Sequence, residues 1–282
     1  MRLRSLLFVP GDRPDRMKKA LGLSADALIL DLEDAVALAE KPAARTSVAT
    51  FLRLAERPVK LFVRVNALES GLVEQDLAAI LDARPDALVL PKAEGSASVE
   101  ALAALAPGVP IMPIATETPA AIFQLGSYAA VRHLILGLTW GAEDLPAAIG
   151  AARSRNDDGS YTHPYELLRS LTLFAGHAAG AAVIETIYPA LGDLEGLRRY
   201  AHRARSDGFT GMMAIHPSQV PVINEAFSPT QAEVERAQAI VAAFEANPAK
   251  GVLQLDGRMI DTPHLRHARR ILGLVDDITR RR

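Results

Sequence analysis

The chain has 282 residues, 49% of them hydrophobic, and its 31 Lys and Arg against 33 Asp and Glu leave a formal net charge of −2. That length and apolar fraction suffice for a large core, built as one big α/β domain with an appendage or as two domains, and they exclude global disorder. The near-cancelling charge argues against an extended nucleic-acid or membrane-binding surface but permits a local anion pocket.

The chain contains no cysteine. This removes disulfides, thiolate metal ligands and cysteine nucleophiles together, and fits a reducing cytoplasm, the expected location. The apolar start at 6–9 is halted by Pro10, Gly11, Asp12 and Arg13, too soon for a signal-peptide core. The apolar stretch 101–115 is interrupted by Pro107, Gly108, Pro110 and Pro113, so a membrane-spanning helix is excluded there. The closing run Arg280, Arg281 and Arg282 reads as a solvated end.

Short apolar runs predict strands at 3–9, 27–30, 60–65, 87–90, 111–115, 133–136, 182–187 and 212–215. Helical segments are predicted between them at 14–21, 41–54, 73–83, 98–105, 119–125, 164–179 and 194–206. Strands without polar alternation belong in a parallel sheet covered on both faces, and strand-helix alternation of this length predicts a (β/α)8 TIM barrel. An open doubly wound sheet fits the alternation too, but the first strand runs into Pro10-Gly11-Asp12-Arg13-Pro14 without the glycine spacing of a dinucleotide-binding turn. Beyond Pro217 the rhythm changes to a helix at 230–245, a hairpin about Asp256-Gly257 and a helix at 263–272. The expected organisation is a catalytic barrel over 1–220 and a small helical extension over 221–282, packed on the barrel or on a neighbouring subunit.

Polar residues gather after the predicted strands, where a barrel assembles its active site. Glu117 and Asp144 follow consecutive strands, and a carboxylate beside an apolar strand needs a partner. A Mg²⁺ ion with open positions for substrate is one such partner; helix capping or surface ion pairing is the other. Arg64 ends an apolar strand, ready for a carboxylate or thioester oxygen or for a structural pair with Asp31, Glu33 or Asp34. Lys92 raises a rival Schiff-base chemistry. His216 offers substrate contact, proton exchange or a rim hydrogen bond. The polar loop 154–162 reads as an active-site cover or as plain surface.

Taken together, the segments Ser5-Leu6-Leu7-Phe8-Val9-Pro10-Gly11, Asp31-Leu32-Glu33-Asp34-Ala35-Val36, Val63-Arg64-Val65-Asn66, Leu90-Pro91-Lys92, Glu117-Thr118-Pro119, Gly141-Ala142-Glu143-Asp144-Leu145 and Ile215-His216-Pro217-Ser218-Gln219 carry a specific likeness. Through them the chain resembles, over 4–272, the citrate lyase β-subunit-like group of the HpcH/HpaI aldolase superfamily, which includes malyl-CoA and citramalyl-CoA lyases. The resemblance implies Mg²⁺ on Glu117 and Asp144, Arg64 at the substrate carbonyl or carboxylate, and Glu33 and Asp34 in the supporting polar network. It makes Asp261 the first general acid/base candidate, in a C-terminal segment that commonly reaches a neighbouring active site. Glu185 stands where aspartate is more usual, and Met212 where lysine is. The expected catalytic set is Arg64, Asp261, Glu33 and Asp34; the expected substrate-binding set is Arg64, Pro10, Gly11, Asn66, Lys92, Arg153 and His216. Arg13, Lys18, Arg153 and Arg155 are candidates for a basic rim facing CoA phosphates.

The implied reaction is Mg²⁺-dependent cleavage or formation of a 3-hydroxyacyl-CoA thioester such as malyl-CoA, citramalyl-CoA or citryl-CoA, with coenzyme A as part of the substrate and a 2-oxoacid as co-product. Malyl-CoA thioesterase or malate synthase-like activity, a CoA-independent oxoacid aldolase, and a non-catalytic subunit of a larger complex stay open as alternatives. A homotrimer, or a multiple of it, is the implied assembly, with no nucleic-acid or membrane partner.

Overall fold

In a computed structural model, which describes residues 2–54 and 57–279, every predicted barrel strand but one appears in place; the terminal arginine run lies outside the described residues. The chain runs β1 (Ser5–Pro10), α1 (Pro14–Ala20), β2 (Ala27–Asp31), α2 (Lys41–Leu52), β3 (Lys60–Arg64), α3 (Val73–Ile80), β4 (Ala87–Leu90) and α4 (Ser96–Leu105). It continues through β5 (Ile111–Pro113), α5 (Pro119–Ile122), β6 (Gly137–Thr139), α6 (Leu145–Ile149), α7 (His163–Ala178), β7 (Ala182–Glu185), α8 (Leu194–Asp207), β8 (Gly211–Ala214) and α9 (Gln219–Ala226).

The eight strands form one sheet in the order β5-β4-β3-β2-β1-β8-β7-β6. Neighbours pair in parallel. Parallel bridges Ile111 to Ile135 and Ile114 to Thr139 join the two edges, so the sheet rolls into the expected TIM barrel. Alternation along each strand divides the core into two layers. Leu28 and Leu30 of β2 point outward into the layer shared with the helices, whereas Ala27 and Ile29 join Leu6, Phe62, Val89, Met112 and Met213 inside the barrel. All five residues of β2 are buried, as a strand covered on both faces requires.

The sixth strand corrects the sequence reading. The ladder with β7 falls on Gly137–Thr139, while within 133–136 Ile135 pairs in an isolated bridge to Ile111. Gly137 sits so close to β7 that an added Cβ would stand 3.1 Å from the Ala182 carbonyl oxygen. Helices α6 and α9 were not anticipated from sequence. Helix α9 buries Val220, Val222, Ile223 and Ala226 in the barrel's outer layer, so the first compact unit is Leu3–Phe227, seven residues past the expected boundary at 220.

The second compact unit begins at Ser228 and takes in Arg2 from the start of the chain. It holds α10 (Gln231–Glu245), the antiparallel pair β9 (Val252–Leu255) and β10 (Arg258–Asp261), and α11 (Thr262–Thr279). Thr230 and Glu233 close a capping box at the start of α10. Asp256 and Gly257 take positive φ at the hairpin turn, as the dipeptide predicts. Helix α11 outruns its expected end at 272, its Leu265, Ala268, Ile271 and Leu272 packing with Ala237, Ile240 and Phe244 of α10. Among the described residues no helix is long and apolar enough to cross a membrane.

Candidate active site

The register of β2 and β3 sets Asp31 opposite Arg64 at the C-terminal rim of the barrel. Arg64 Nε and Nη2 donate to the two Asp31 oxygens at 2.7 and 2.6 Å, the bidentate fork that fixes a guanidinium in direction as well as in place. Asp31 also accepts the backbone N–H groups of Glu33 and Ala35, so one buried carboxylate orients both the arginine and the turn beyond β2. Arg64 Nη1 lies 2.8 Å from Glu33 Oε2 in an ion pair without an aligned hydrogen bond. Burial opposes the Arg64 charge, but the hydrogen bonds and field of Asp31 outweigh it and hold the group cationic.

On the adjoining rim the Glu117 carboxylate is buried, with Oε2 accepting the Lys92 backbone N–H at 2.7 Å. Lys92 Nζ donates to Glu33 Oε1 at 2.6 Å and stands 3.7 Å from Asp144 Oδ2. Burial pushes the Glu117 carboxyl up to about 8, helped by the charges of Asp144 and Glu33 and only partly offset by the Lys92 N–H. Burial raises Glu33 as well, against the field of Arg64 and the Lys92 hydrogen bond. For Lys92 burial disfavours the charge, yet Glu33 more than restores it, the reverse of what a Schiff-base lysine needs.

Asp144 stands at the N-cap position of α6 and makes no side-chain cap bond; Thr118 is the residue that caps α5. The capping alternative for the two carboxylates is therefore not what holds them. Gly141 supplies the space Glu117 needs, since a Cβ there would stand 2.7 Å from Glu117 Cγ and 2.9 Å from its Oε1. Among the described residues no group of three or more His, Asp or Glu is arranged to hold a metal. Glu117 and Asp144 offer a pair of hard oxygen donors, the partial set with which Mg²⁺ retains water and takes substrate oxygens.

Both carboxylates line a cavity of about 370 Å³ together with Asp31, Asp34, Arg64 and Glu143. Phe8, Ile114, Ile187, Met213 and Ile215 supply its apolar wall, and Phe8 lies under the Arg64 guanidinium at 4.9 Å. A polar rim over an apolar floor suits a ligand with a charged end and a carbon skeleton.

Other predicted residues stand elsewhere. Asn66 is 3% exposed, and its amide hydrogens go to the Leu32 carbonyl and Asp76, which places it behind the β2 and β3 ends. Gly11 lets the first loop approach β2 closely, its N–H meeting the Asp31 carbonyl oxygen at 2.8 Å directly after Pro10. His216 is exposed and bonds Ser218, while its neighbour Ile215 lines the cavity. Arg153 pairs with Asp157 on the exposed loop, and Arg13 with Asp15. Arg155 ties that loop to Glu143 at 2.9 Å and lies over the Tyr161 ring. Lys18 is exposed in the last turn of α1. Asp261 belongs to the second compact unit, where a 2.5 Å contact with His264 Nδ1 holds its carboxyl below the usual range.

Sequence reasoning missed the role of Gly141, for which a glycine beside a strand end was the only signal. It also left Glu185 without a task. That fully buried carboxylate accepts from Trp140 Nε1 at 2.6 Å and Arg169 Nε at 2.7 Å, binding the end of β7 to the residue before Gly141.

The family profile described as HpcH/HpaI aldolase/citrate lyase matches residues 4–217. A (3S)-malyl-CoA thioesterase of Cereibacter sphaeroides is 36% identical over 278 residues, covering 98% of this chain and 95% of that protein. A citrate lyase subunit beta-like protein of Mycobacterium tuberculosis is 36% identical over 273 residues, covering 97% and 96%. The crystal structure of CitE from Mycobacterium tuberculosis in complex with magnesium, acetoacetate and coenzyme A superposes with a TM-score of 0.83 at 35% identity, covering 96% of this chain and 97% of that one.

Proposed function

The chain belongs to the HpcH/HpaI aldolase/citrate lyase family, and we propose that it breaks or forms the carbon–carbon bond of a 3-hydroxyacyl-CoA thioester. Malyl-CoA, citramalyl-CoA and citryl-CoA are the substrates of that class, exchanged with an acyl-CoA and an oxoacid. The observation that carries the reading is the meeting of Glu117, Asp144 and Arg64 on one cavity, in a chain so similar to a relative crystallised with magnesium, acetoacetate and coenzyme A.

Glu117 and Asp144 would hold Mg²⁺, for which the crowding of Asp144 and Glu33 around the buried Glu117 and the space Gly141 leaves for Glu117 both argue. When bound, the ion supplies Lewis-acid polarisation at the oxoacid end of the substrate. Arg64 presents its remaining donor capacity from a fixed direction, because Asp31 holds its fork. It stabilises the negative charge that develops on the thioester oxygen as the carbon–carbon bond breaks. A base takes the hydroxyl proton, the bond electrons pass to the acyl-CoA enolate, and an acid then protonates that carbon. Asp261 is the candidate for these transfers, from the same chain or from a neighbour in a homotrimer or multiple of it; the hydrogen bond from His264 keeps it ready to accept. Glu33 and Asp34 complete the polar support around Arg64. A cytoplasmic setting without nucleic-acid or membrane partners accompanies this reading.

Thioester hydrolysis is the second reading, favoured by the 36% identity to a protein named (3S)-malyl-CoA thioesterase. Mass spectrometry of malyl-CoA, methylmalyl-CoA, citramalyl-CoA and citryl-CoA reactions, with Mg²⁺ and with EDTA, separates the two. A shorter acyl-CoA plus an oxoacid marks lyase chemistry. Free CoA plus the intact hydroxy acid marks hydrolysis, and no turnover with any of the four favours a non-catalytic role.

A further inference from the structure

Lys92 follows Pro91 at the end of β4 with φ of 52°, the left-handed region that residues with a Cβ rarely occupy. That conformation lets one residue serve the carboxylate cluster twice. Its backbone N–H binds Glu117 Oε2 at 2.7 Å, and its ammonium binds Glu33 Oε1 at 2.6 Å while standing 3.7 Å from Asp144 Oδ2. Arg64 at the same rim is committed through its fork to Asp31 and reaches Glu33 Oε2 with Nη1 at 2.8 Å. Lys92 thus shares Glu33 with Arg64 and is the cation that also stands beside Glu117 and Asp144, from the end of β4.

We propose that Lys92 is a positioning residue acting as an internal counter-cation, which neutralises the carboxylate cluster before a divalent ion arrives and then competes with that ion for Asp144. The inference rests on the reading of Glu117 and Asp144 as Mg²⁺ ligands. The ammonium lies beyond hydrogen-bond distance of Asp144, so the two are joined by field alone and the contact yields to a stronger cation. The Lys92 N–H, in contrast, belongs to the backbone and keeps Glu117 in place whichever side chain stands at 92. Ligand placement and charge compensation are thereby separable by mutation. The ammonium weakens Mg²⁺ binding, and in exchange adds to the compensation that Arg64 gives the buried Glu33 and faces the buried Glu117 in the metal-free protein.

The test uses the full chain, freed of metal, titrated with MgCl₂ in a calorimeter and melted with and without EDTA. Lys92→Met and Lys92→Gln remove the charge and retain the N–H; circular dichroism verifies that each is folded. Both should bind Mg²⁺ on the order of tenfold more tightly than wild type. Both should also melt lower in EDTA and gain more from added Mg²⁺. Lys92→Arg, which restores the charge, should return Kd to within about threefold of wild type. Met and Gln variants that fold but bind Mg²⁺ no more tightly than wild type overturn the counter-cation role. A wild-type protein that binds no Mg²⁺ overturns the metal reading itself, and this inference with it.

Discussion

Gly141→Ala is the smallest change that reaches the carboxylate pair. Gly141 is not among the glycines of positive φ, so space rather than backbone conformation bars a side chain there. An added Cβ would stand 2.7 Å from Glu117 Cγ, an overlap of about 1 Å against ordinary carbon contacts. Glu117 cannot swing aside cheaply, being only 7% exposed and tied through Oε2 to the Lys92 N–H. Overpacking of this kind costs about 1–3 kcal/mol of stability. At roughly 2–4 °C of Tm per kcal/mol for a domain of this size, the melting point should drop by several degrees. A ligand displaced by a few tenths of an ångström to 1 Å should weaken Mg²⁺ binding about 10–100-fold and slow turnover about as much. Calorimetric Mg²⁺ titration, thermal melting in EDTA and kcat/KM for carbon–carbon cleavage read the three effects. Wild-type values for Mg²⁺ affinity and kcat/KM in a folded Gly141→Ala protein would refute the crowding argument.

The other predictions concern the arginine fork and the response to pH. Asp31→Ala strands a guanidinium whose side chain is only 11% exposed; it should lose about 3 kcal/mol in urea denaturation, with Glu33 sparing a larger loss, and a loss below about 1 kcal/mol would contradict the fork's role. Arg64→Lys keeps the charge but not the planar fork, so kcat/KM should drop about 10²–10³-fold with Mg²⁺ affinity little changed; an active Lys variant would remove Arg64 from charge stabilisation. Metal-free Glu117 rises from 4.5 to about 8 on folding. The folded chain thus binds a proton that the unfolded chain has released, so this stabilisation is complete below pH 4.5 and disappears as pH climbs through 8. Melting points in EDTA should accordingly fall across that window, and Mg²⁺ binding near neutral pH should release protons, seen as a dependence of calorimetric heat on buffer ionisation. Flat melting and proton-silent binding would count against a protonated Glu117.

The barrel was legible because parallel strands buried on both faces must be apolar along their length, as Ala27–Asp31 is up to its last residue. The sixth strand was misplaced for a related reason. Leu134, Ile135 and Leu136 are the more apolar run, but the pairing strand contains Gly137, a residue that reads as a strand breaker until its close approach to Ala182 is known. Glu117, Asp144 and Arg64 were readable as polar residues delivered to strand ends, and they do share one cavity. Less readable were the residues that act through backbone. Neither the left-handed turn at Lys92 nor the missing Cβ of Gly141 leaves a mark in hydropathy. Asn66 illustrates the converse: it carries the right chemistry at the right strand end, but Asp76 on α3 turns its amide to the structural side of the wall.

Magnesium held jointly by Glu117 and Asp144 for carbon–carbon cleavage is tested most directly by pairing Mg²⁺ calorimetry with mass-spectrometric product detection on wild type, Glu117→Gln and Asp144→Asn. Wild type should bind Mg²⁺ and yield an acyl-CoA and an oxoacid from at least one of the four thioesters, with no products in EDTA. Each variant should remain folded, bind Mg²⁺ at least about 100-fold more weakly and lose turnover to a similar degree. Wild-type Mg²⁺ affinity in either variant, or undiminished carbon–carbon cleavage in EDTA, would contradict the assignment.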